Sequence, residues 1–137
     1  MHYSHTLLTT ASPEIMWKVL TDVRNWKNWG VGLKDSLLKG PFGLNTEGVI
    51  VPDKGYKTSF RITSVKPNFS VTYTSKLPFA QIHLHGFLGY HNRKTTFTNE
   101  VWVEGPLGEF WWKLFGKRYV QFLQRMMAKE KQIAESA

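Results

Sequence analysis

An α+β architecture is predicted for this chain, with a curved antiparallel sheet wrapped around one long C-terminal helix and two short helices after the first strand. Three observations carry it. Between Gly108 and Glu135, residues Trp112, Phe115, Tyr119, Phe122 and Met126 recur at 3-4-3-4 spacing, which sets them on one helical face. Between Glu47 and Glu104 the chain alternates apolar and polar residues, interrupted by short turn signals, as half-buried strands do. Near the start, Ser12-Pro13-Glu14 reads as a helix opening directly after a strand-like segment. A sheet with one apolar face must bury it, and only the terminal helix is long enough to cover it. At about 1.5 Å per residue that helix reaches about 40 Å.

The elements follow in order. Tyr3 to Thr10 reads as a strand with His5, Leu7 and Thr9 on one face. Ser12 caps a short helix whose first position is Pro13 and whose apolar side is Met16, Trp17 and Leu20. Asp22 is placed to cap a second short helix through Asn25 and Trp26, ending near Trp29-Gly30. Residues 30–46, rich in Gly and carrying Pro41, are expected to be irregular loop. Val49 to Val51 is a strand followed by a turn at Asp53-Lys54-Gly55. Thr58 to Lys66 and Phe69 to Lys76 form a hairpin about Pro67-Asn68. With Lys66 opposite Phe69, residues Phe60, Ile62, Ser64, Val71, Tyr73 and Ser75 share a face.

Ala80 to Tyr90 and Arg93 to Glu104 form a second hairpin about His91-Asn92. Pairing Tyr90 with Arg93 puts Ile82, Leu84, Gly86 and Leu88 on the face of Thr95, Phe97, Asn99, Val101 and Val103. His83, His85 and Phe87 then share the other face with Thr96, Thr98, Glu100 and Trp102. Gly105-Pro106 ends the sheet before the long helix. Inside that helix Gly116 costs about 1 kcal/mol against Ala, which points to a bend or to close approach by another backbone. No repeat, low-complexity tract or linker divides the chain, so 1–137 is expected to be one domain.

Composition narrows the function. Among 137 residues there are six Trp and nine Phe, and rings of this size are hard to pack without gaps, which favours an internal cavity. With no Cys, disulfides and thiolate catalysis are excluded, and a reducing cytoplasm is the natural setting. The opening Met1-His-Tyr-Ser-His lacks the basic and apolar stretches of a signal peptide. The net charge of +8 favours acidic partners, yet the basic residues are scattered. Their densest group is Lys113, Lys117 and Arg118, with Arg125, Lys129 and Lys131 further along the helix. A solvated face is the ordinary reading, with weak contact to an anionic membrane surface as its functional counterpart. Specific nucleic-acid binding is not expected, because the aromatics share the buried stripe rather than the basic face.

Two segments carry a family resemblance. Ala11-Ser-Pro-Glu-Ile-Met-Trp-Lys-Val-Leu-Thr-Asp-Val-Arg-Asn-Trp-Lys-Asn-Trp29 resembles the "APxxVWxxLTDxxxWxxW" opening of the SRPBCC superfamily, also called START-like or helix-grip proteins. Phe60-Arg-Ile-Thr-Ser-Val-Lys-Pro67 is similar to that family's "FxVxxVxP" strand end. The likeness is greatest to the polyketide cyclase/dehydrase branch, and the order of elements extends it over nearly the whole chain. It implies a helix-grip fold and a hydrophobic cavity between sheet and C-terminal helix, able to hold a lipid, a polyketide-like aromatic or another apolar molecule. The family has no universal catalytic motif, so the resemblance assigns no active-site residue.

The residues themselves favour binding over chemistry. The expected cavity walls are Phe60, Ile62, Val71, Tyr73, Leu84, Phe97 and Asn99 from the sheet, with Trp112, Phe115, Tyr119 and Phe122 from the helix. Titratable groups on the inward faces are few: Tyr73, His5, and Asp35 or Glu47 at the mouth. His5 and Tyr73 are therefore the only, and weak, catalytic candidates, while Asn99 and Ser75 are suited to orienting a carbonyl or hydroxyl. His83 and His85 point the same way along their strand, but onto the outer face with Glu100 as a lone third ligand, so no metal is expected. No cofactor motif is present. The leading expectation is a hydrophobic small-molecule binding protein. A cyclase or dehydratase of the same fold is the alternative, and an interaction module using the basic helix face is the third.

Overall fold

A computed structural model describes residues 2–137. The chain runs through β1 (His2–Thr9), α1 (Pro13–Leu20), a short 3-10 helix (Val23–Trp29), β2 (Leu33–Leu38), β3 (Glu47–Pro52), β4 (Thr58–Lys66), β5 (Ser70–Leu77), β6 (Ala80–His91), β7 (Lys94–Glu104) and α2 (Gly108–Glu135). The strands form one seven-stranded antiparallel sheet in the order β1-β7-β6-β5-β4-β3-β2. The first strand thus lies beside the last, and α2 packs across β1, β6 and β7.

Local chemistry explains the short helices. Ser12 Oγ accepts from Ile15 N at 3.2 Å and Pro13 occupies the first turn, so α1 is capped as its sequence requires. Asp22 precedes the 3-10 helix but does not cap it, because its carboxylate instead accepts from Asn25 Nδ2 at 2.7 Å. Gly30 closes that helix at φ 69°, a left-handed position suited to glycine.

The segment expected as loop contains β2. Its flanking Gly and Pro residues conceal a six-residue strand, and a register shift between Leu33 and Asp35 against β3 breaks the alternation that would reveal it. Leu33, Ser36 and Leu38 are buried.

The β4–β5 hairpin also carries a register shift, between Ile62 and Ser64. It sets Ser64 opposite Thr72 and Val65 opposite Val71, so Val65 takes the core-facing place expected of Ser64. Beyond the shift, Ile62 pairs with Tyr73 and the expected inward face is restored. In the β6–β7 hairpin the turn lies one residue later than expected. Asn92 and Arg93 both have positive φ (52° and 64°), the requirement of the tight turn that matches strand twist, and His91 pairs with Lys94. The two-residue change in pairing leaves every side chain on its expected face.

The core has two parts. One gathers Met16, Phe97, Val101, Leu123 and Met127, all 1% exposed or less, under α1 and the C-terminal half of α2. The other gathers Val23, Trp26, Leu33, Phe60, Ile62, Val71, Tyr73 and Met126 beneath the 3-10 helix and β2. Along α2 burial is uneven: Leu123, Met126, Met127, Glu130 and Ala134 are buried, whereas Trp112, Phe115, Tyr119 and Phe122 are only half-buried. The nearest neighbour of Gly116 is a side chain rather than another backbone. It is buried against the Trp112 indole, which a Cβ there would meet at 3.0 Å.

Candidate functional site

The half-buried stretch of α2 stands over an opening with two adjoining parts. The inner chamber has about 60 Å³ and is lined by Phe60, Val71, Tyr73, Leu84, Asn99, Phe122, Trp26 and Glu130 among others. The outer mouth has about 490 Å³ and lies between α2 and the β2–β3 edge, with Leu33, Ile50, Pro52 and Phe115 in its walls. Ile50, Ser75, Ile82, Tyr119 and Phe122 line both, so the mouth adjoins the chamber. The walls are mostly apolar, whereas Lys54, Arg118, Arg125 and Asp53 stand around the mouth.

The sequence-predicted wall residues divide into three groups. Phe60, Val71, Tyr73, Leu84, Asn99, Tyr119 and Phe122 come together at the chamber. Phe115 lines the mouth alone. Ile62, Phe97 and Trp112 reach neither: Ile62 and Phe97 are 0% and 1% exposed within packed core, and Trp112 lies over Gly116. His5 is half-buried on the inner face of β1, opposite Asn99, with its ring 6.4 Å from Tyr3, and does not line the chamber. Asp35 pairs with Lys27 at 3.3 Å and Glu47 with Arg61 at 2.6 Å, both away from the mouth. His83 Nε2 meets Glu104 at 2.5 Å and stacks on Trp102, so the expected facing pair of His83 and Glu100 does not form. His85 instead bonds Thr72 through Nδ1 at 2.8 Å.

Tyr73 is fixed from three sides. Its hydroxyl donates to the Leu20 carbonyl oxygen at 3.3 Å. The Trp26 and Phe60 rings meet it edge-on at 5.5 and 5.4 Å. Such edge contacts add about 0.5–1.5 kcal/mol each beyond the area they bury. Burial raises the Tyr73 phenol far above its ordinary value, with a further upward push from nearby Glu130. Tyr73 is therefore neutral at any physiological pH.

Glu130 is the residue that sequence reading missed. It is 2% exposed on α2 and lines the chamber. Burial raises its carboxyl well above the usual range, and Oε1 has no hydrogen-bond partner among the described residues. Trp26 also lines the chamber, and its buried Nε1 has no partner among the described residues. Buried polar atoms are nearly always satisfied, and each orphan costs about 1–3 kcal/mol. The signal was present in the sequence: stepping four residues from Met126 along the apolar stripe reaches Glu130.

No family model and no curated protein matches the chain. Solved structures do. Ara h 8.0201 superposes with a TM-score of 0.77 at 10% identity, covering 100% of this chain and 99% of that one. A START superfamily protein from Mycobacterium smegmatis gives 0.72 at 13% identity, covering 96% and 98%. The fold is the helix-grip fold. The di-domain ARO/CYC StfQ of the steffimycin biosynthetic pathway carries the same helix-grip architecture, with a TM-score of 0.79 at 11% identity over 98% of this chain and 50% of that one. At these identities the likeness is one of fold, and the chamber residues of this helix-grip protein stand on their own geometry. No helix among the described residues is long and apolar enough to cross a membrane.

Proposed function

We propose that residues 1–137 act as one domain that binds a hydrophobic small molecule, a lipid or an aromatic polyketide-like compound, between the sheet and α2. The observation that carries this reading is the apolar mouth of about 490 Å³ that adjoins an inner chamber with Tyr73, Ser75 and Asn99 in its walls. Apolar walls with a few polar side chains among them are what small-molecule sites present. Burial of the ligand's apolar surface supplies the affinity, and the chamber fixes its orientation.

The test is displacement of the neutral fluorophore N-phenyl-1-naphthylamine, together with native mass spectrometry of the freshly purified protein. Ser75 lines both parts of the opening, so Ser75→Phe fills the junction between them. Saturable fluorophore binding, weakened about tenfold or more in a Ser75→Phe protein with a preserved unfolding transition, is the expected result. Absence of binding in the wild type overturns the reading.

Glu130 favours a second reading, a cyclase or dehydratase. Burial raises the Glu130 carboxyl above its ordinary value, so it holds its proton more tightly than a solvated carboxyl and is suited to donate it to a carbonyl or hydroxyl leaving group. Aromatic polyketide precursors are the substrates to try. Turnover that vanishes in Glu130→Gln while binding persists supports the enzyme, and equal product formation by wild type and variant eliminates it.

A further inference from the structure

We infer that the rim of the mouth selects an anionic head group, so that the bound molecule is an amphipathic anion: an apolar body in the opening, ending in a carboxylate or phosphate on the solvent side. This rests on the ligand-binding reading above and deepens it. Three cations, Lys54, Arg118 and Arg125, line the mouth, and all three are exposed. Arg118 and Arg125 are seven residues apart, so they share one face of α2, separated by about 10.5 Å along its axis. They run beside Phe115 and Phe122, which are seven apart as well and line the same mouth. Lys54 comes from the opposite wall, in the turn after β3. Asp53 N donates to the Gly32 carbonyl oxygen at 2.9 Å, which ties that turn to the chain entering β2.

The protein's own carboxylates leave these cations free. Among the described residues, ion pairs are made by Lys27, Arg61, Lys113, His2 and His83, and none joins Asp53, the acidic residue of the rim, to Lys54, Arg118 or Arg125. The mouth therefore carries three cations against one carboxylate. The chamber beside it has no Lys, Arg, His or Asp in its walls, and burial drives its carboxyl, Glu130, toward the neutral form. An anion thus gains at the rim and loses on moving inward, where it meets no cation. An ammonium meets the same rim with the wrong sign. A guanidinium presents a planar fork of N–H donors that matches the oxygens of a carboxylate or phosphate two at a time. The overall charge of +8 attracts any anion, so the contribution of the rim shows only against a control of equal charge.

Four probes of one skeleton test this by displacing N-phenyl-1-naphthylamine: 2-naphthylacetate, (2-naphthylmethyl)phosphonate, 2-(2-naphthyl)ethanol and 2-(2-naphthyl)ethylamine. Affinities are measured at low salt for wild type, Arg118→Gln, Arg125→Gln and Lys117→Gln, each checked for a cooperative unfolding transition. Lys117 is exposed next to Arg118 but does not line the mouth, so its variant removes equal charge outside the site. The readout is the ratio of alcohol Kd to anion Kd, which cancels differences in apolar burial between proteins. Wild type should bind at least one anion more tightly than the alcohol, and the larger of the two ratios identifies the head group. That ratio should fall about three- to fivefold in Arg118→Gln and in Arg125→Gln, the scale of an exposed ion pair, and stay within about 1.5-fold in Lys117→Gln. An alcohol bound as tightly as both anions, or a ratio unchanged in both Arg variants, overturns the inference while leaving the cavity reading intact. An equal fall in Lys117→Gln traces the preference to net charge and also overturns it, as does an amine bound tightest. If none of the probes displaces the fluorophore, the ligand-binding reading fails together with this one.

Discussion

The two halves of α2 are built from one continuous helix and do different things. From Leu123 to Ala134 the inward side chains are small or flexible, Leu, Met and Ala, and they are buried to within a few per cent against α1 and the sheet. From Trp111 to Phe122 the inward side chains are large rings, spaced 6.3 to 6.5 Å apart from Trp111 through Phe115 and Tyr119 to Phe122, and they remain half-buried. Flexible side chains fill irregular gaps, and rigid rings on a curved sheet leave them. The packed half holds the fold together, and the loose half leaves the opening. Leu123, Met126 and Glu130 join them: they sit in the packed half and also line the chamber.

The largest effects should separate the halves. Phe97→Ala, at a ring 1% exposed, should lose about 3–5 kcal/mol of stability in urea unfolding. Phe115→Ala, at a ring lining the mouth, should lose only on the order of 1–2 kcal/mol. Equal losses would mean that the mouth is closed in solution and that the two halves are packed alike.

Next comes the sign of a Glu130 substitution. Glu130→Met keeps the volume and removes an unsatisfied buried carboxyl, so it should stabilise by about 1–3 kcal/mol. Few single substitutions in a core are stabilising, so a gain here would stand out. A clear loss in Glu130→Met would place the carboxyl in an undetected favourable network.

A smaller effect is the pH dependence. Glu130 has a folded pKa above its ordinary value of 4.5, so the folded state holds its proton more tightly than the unfolded state. Its contribution is complete below pH 4.5 and is lost as pH rises toward the folded value. The slope attributable to this one group is at most about 1.4 kcal/mol per pH unit. Tyr73 shifts in the same direction but adds its loss only above pH 10. The wild type minus Glu130→Gln difference in unfolding free energy, followed from pH 4 to 8, should therefore decline with pH. A flat difference would indicate an ordinary, solvated carboxyl.

Much of this was legible in the sequence because periodicity survives small errors. The turn of the second hairpin is displaced, yet a two-residue change in pairing preserves which side faces the core, so Leu84, Phe97 and Asn99 stand inward as expected. The register shift after Ile62 has no such protection, and a single extra residue exchanges Ser64 for Val65. Strand β2 was hidden by the Gly and Pro residues that frame it, although those residues serve to turn the chain into and out of it. Glu130 was hidden by its chemistry. A charged residue near a helix end is ordinarily solvated, and only the extension of the stripe past Met127 distinguishes it from Lys129 and Lys131. Inward direction was readable for Ile62, Phe97 and Trp112, but whether an inward ring meets core or cavity depends on how the whole sheet curves.

The most direct test of the unequal halves is methyl NMR of the labelled protein during titration with 2-isopropylnaphthalene, which has no polar group to bias its location. Ile50, Ile82 and Leu84 line the opening, whereas Val19, Leu88 and Val101 lie in the packed core away from it. Saturable shifts at the first three methyl-bearing residues, with the second three unmoved, are the predicted result. Shifts spread evenly over both sets, or confined to exposed Leu107 and Leu114, would contradict a ligand site beneath the loose half of α2.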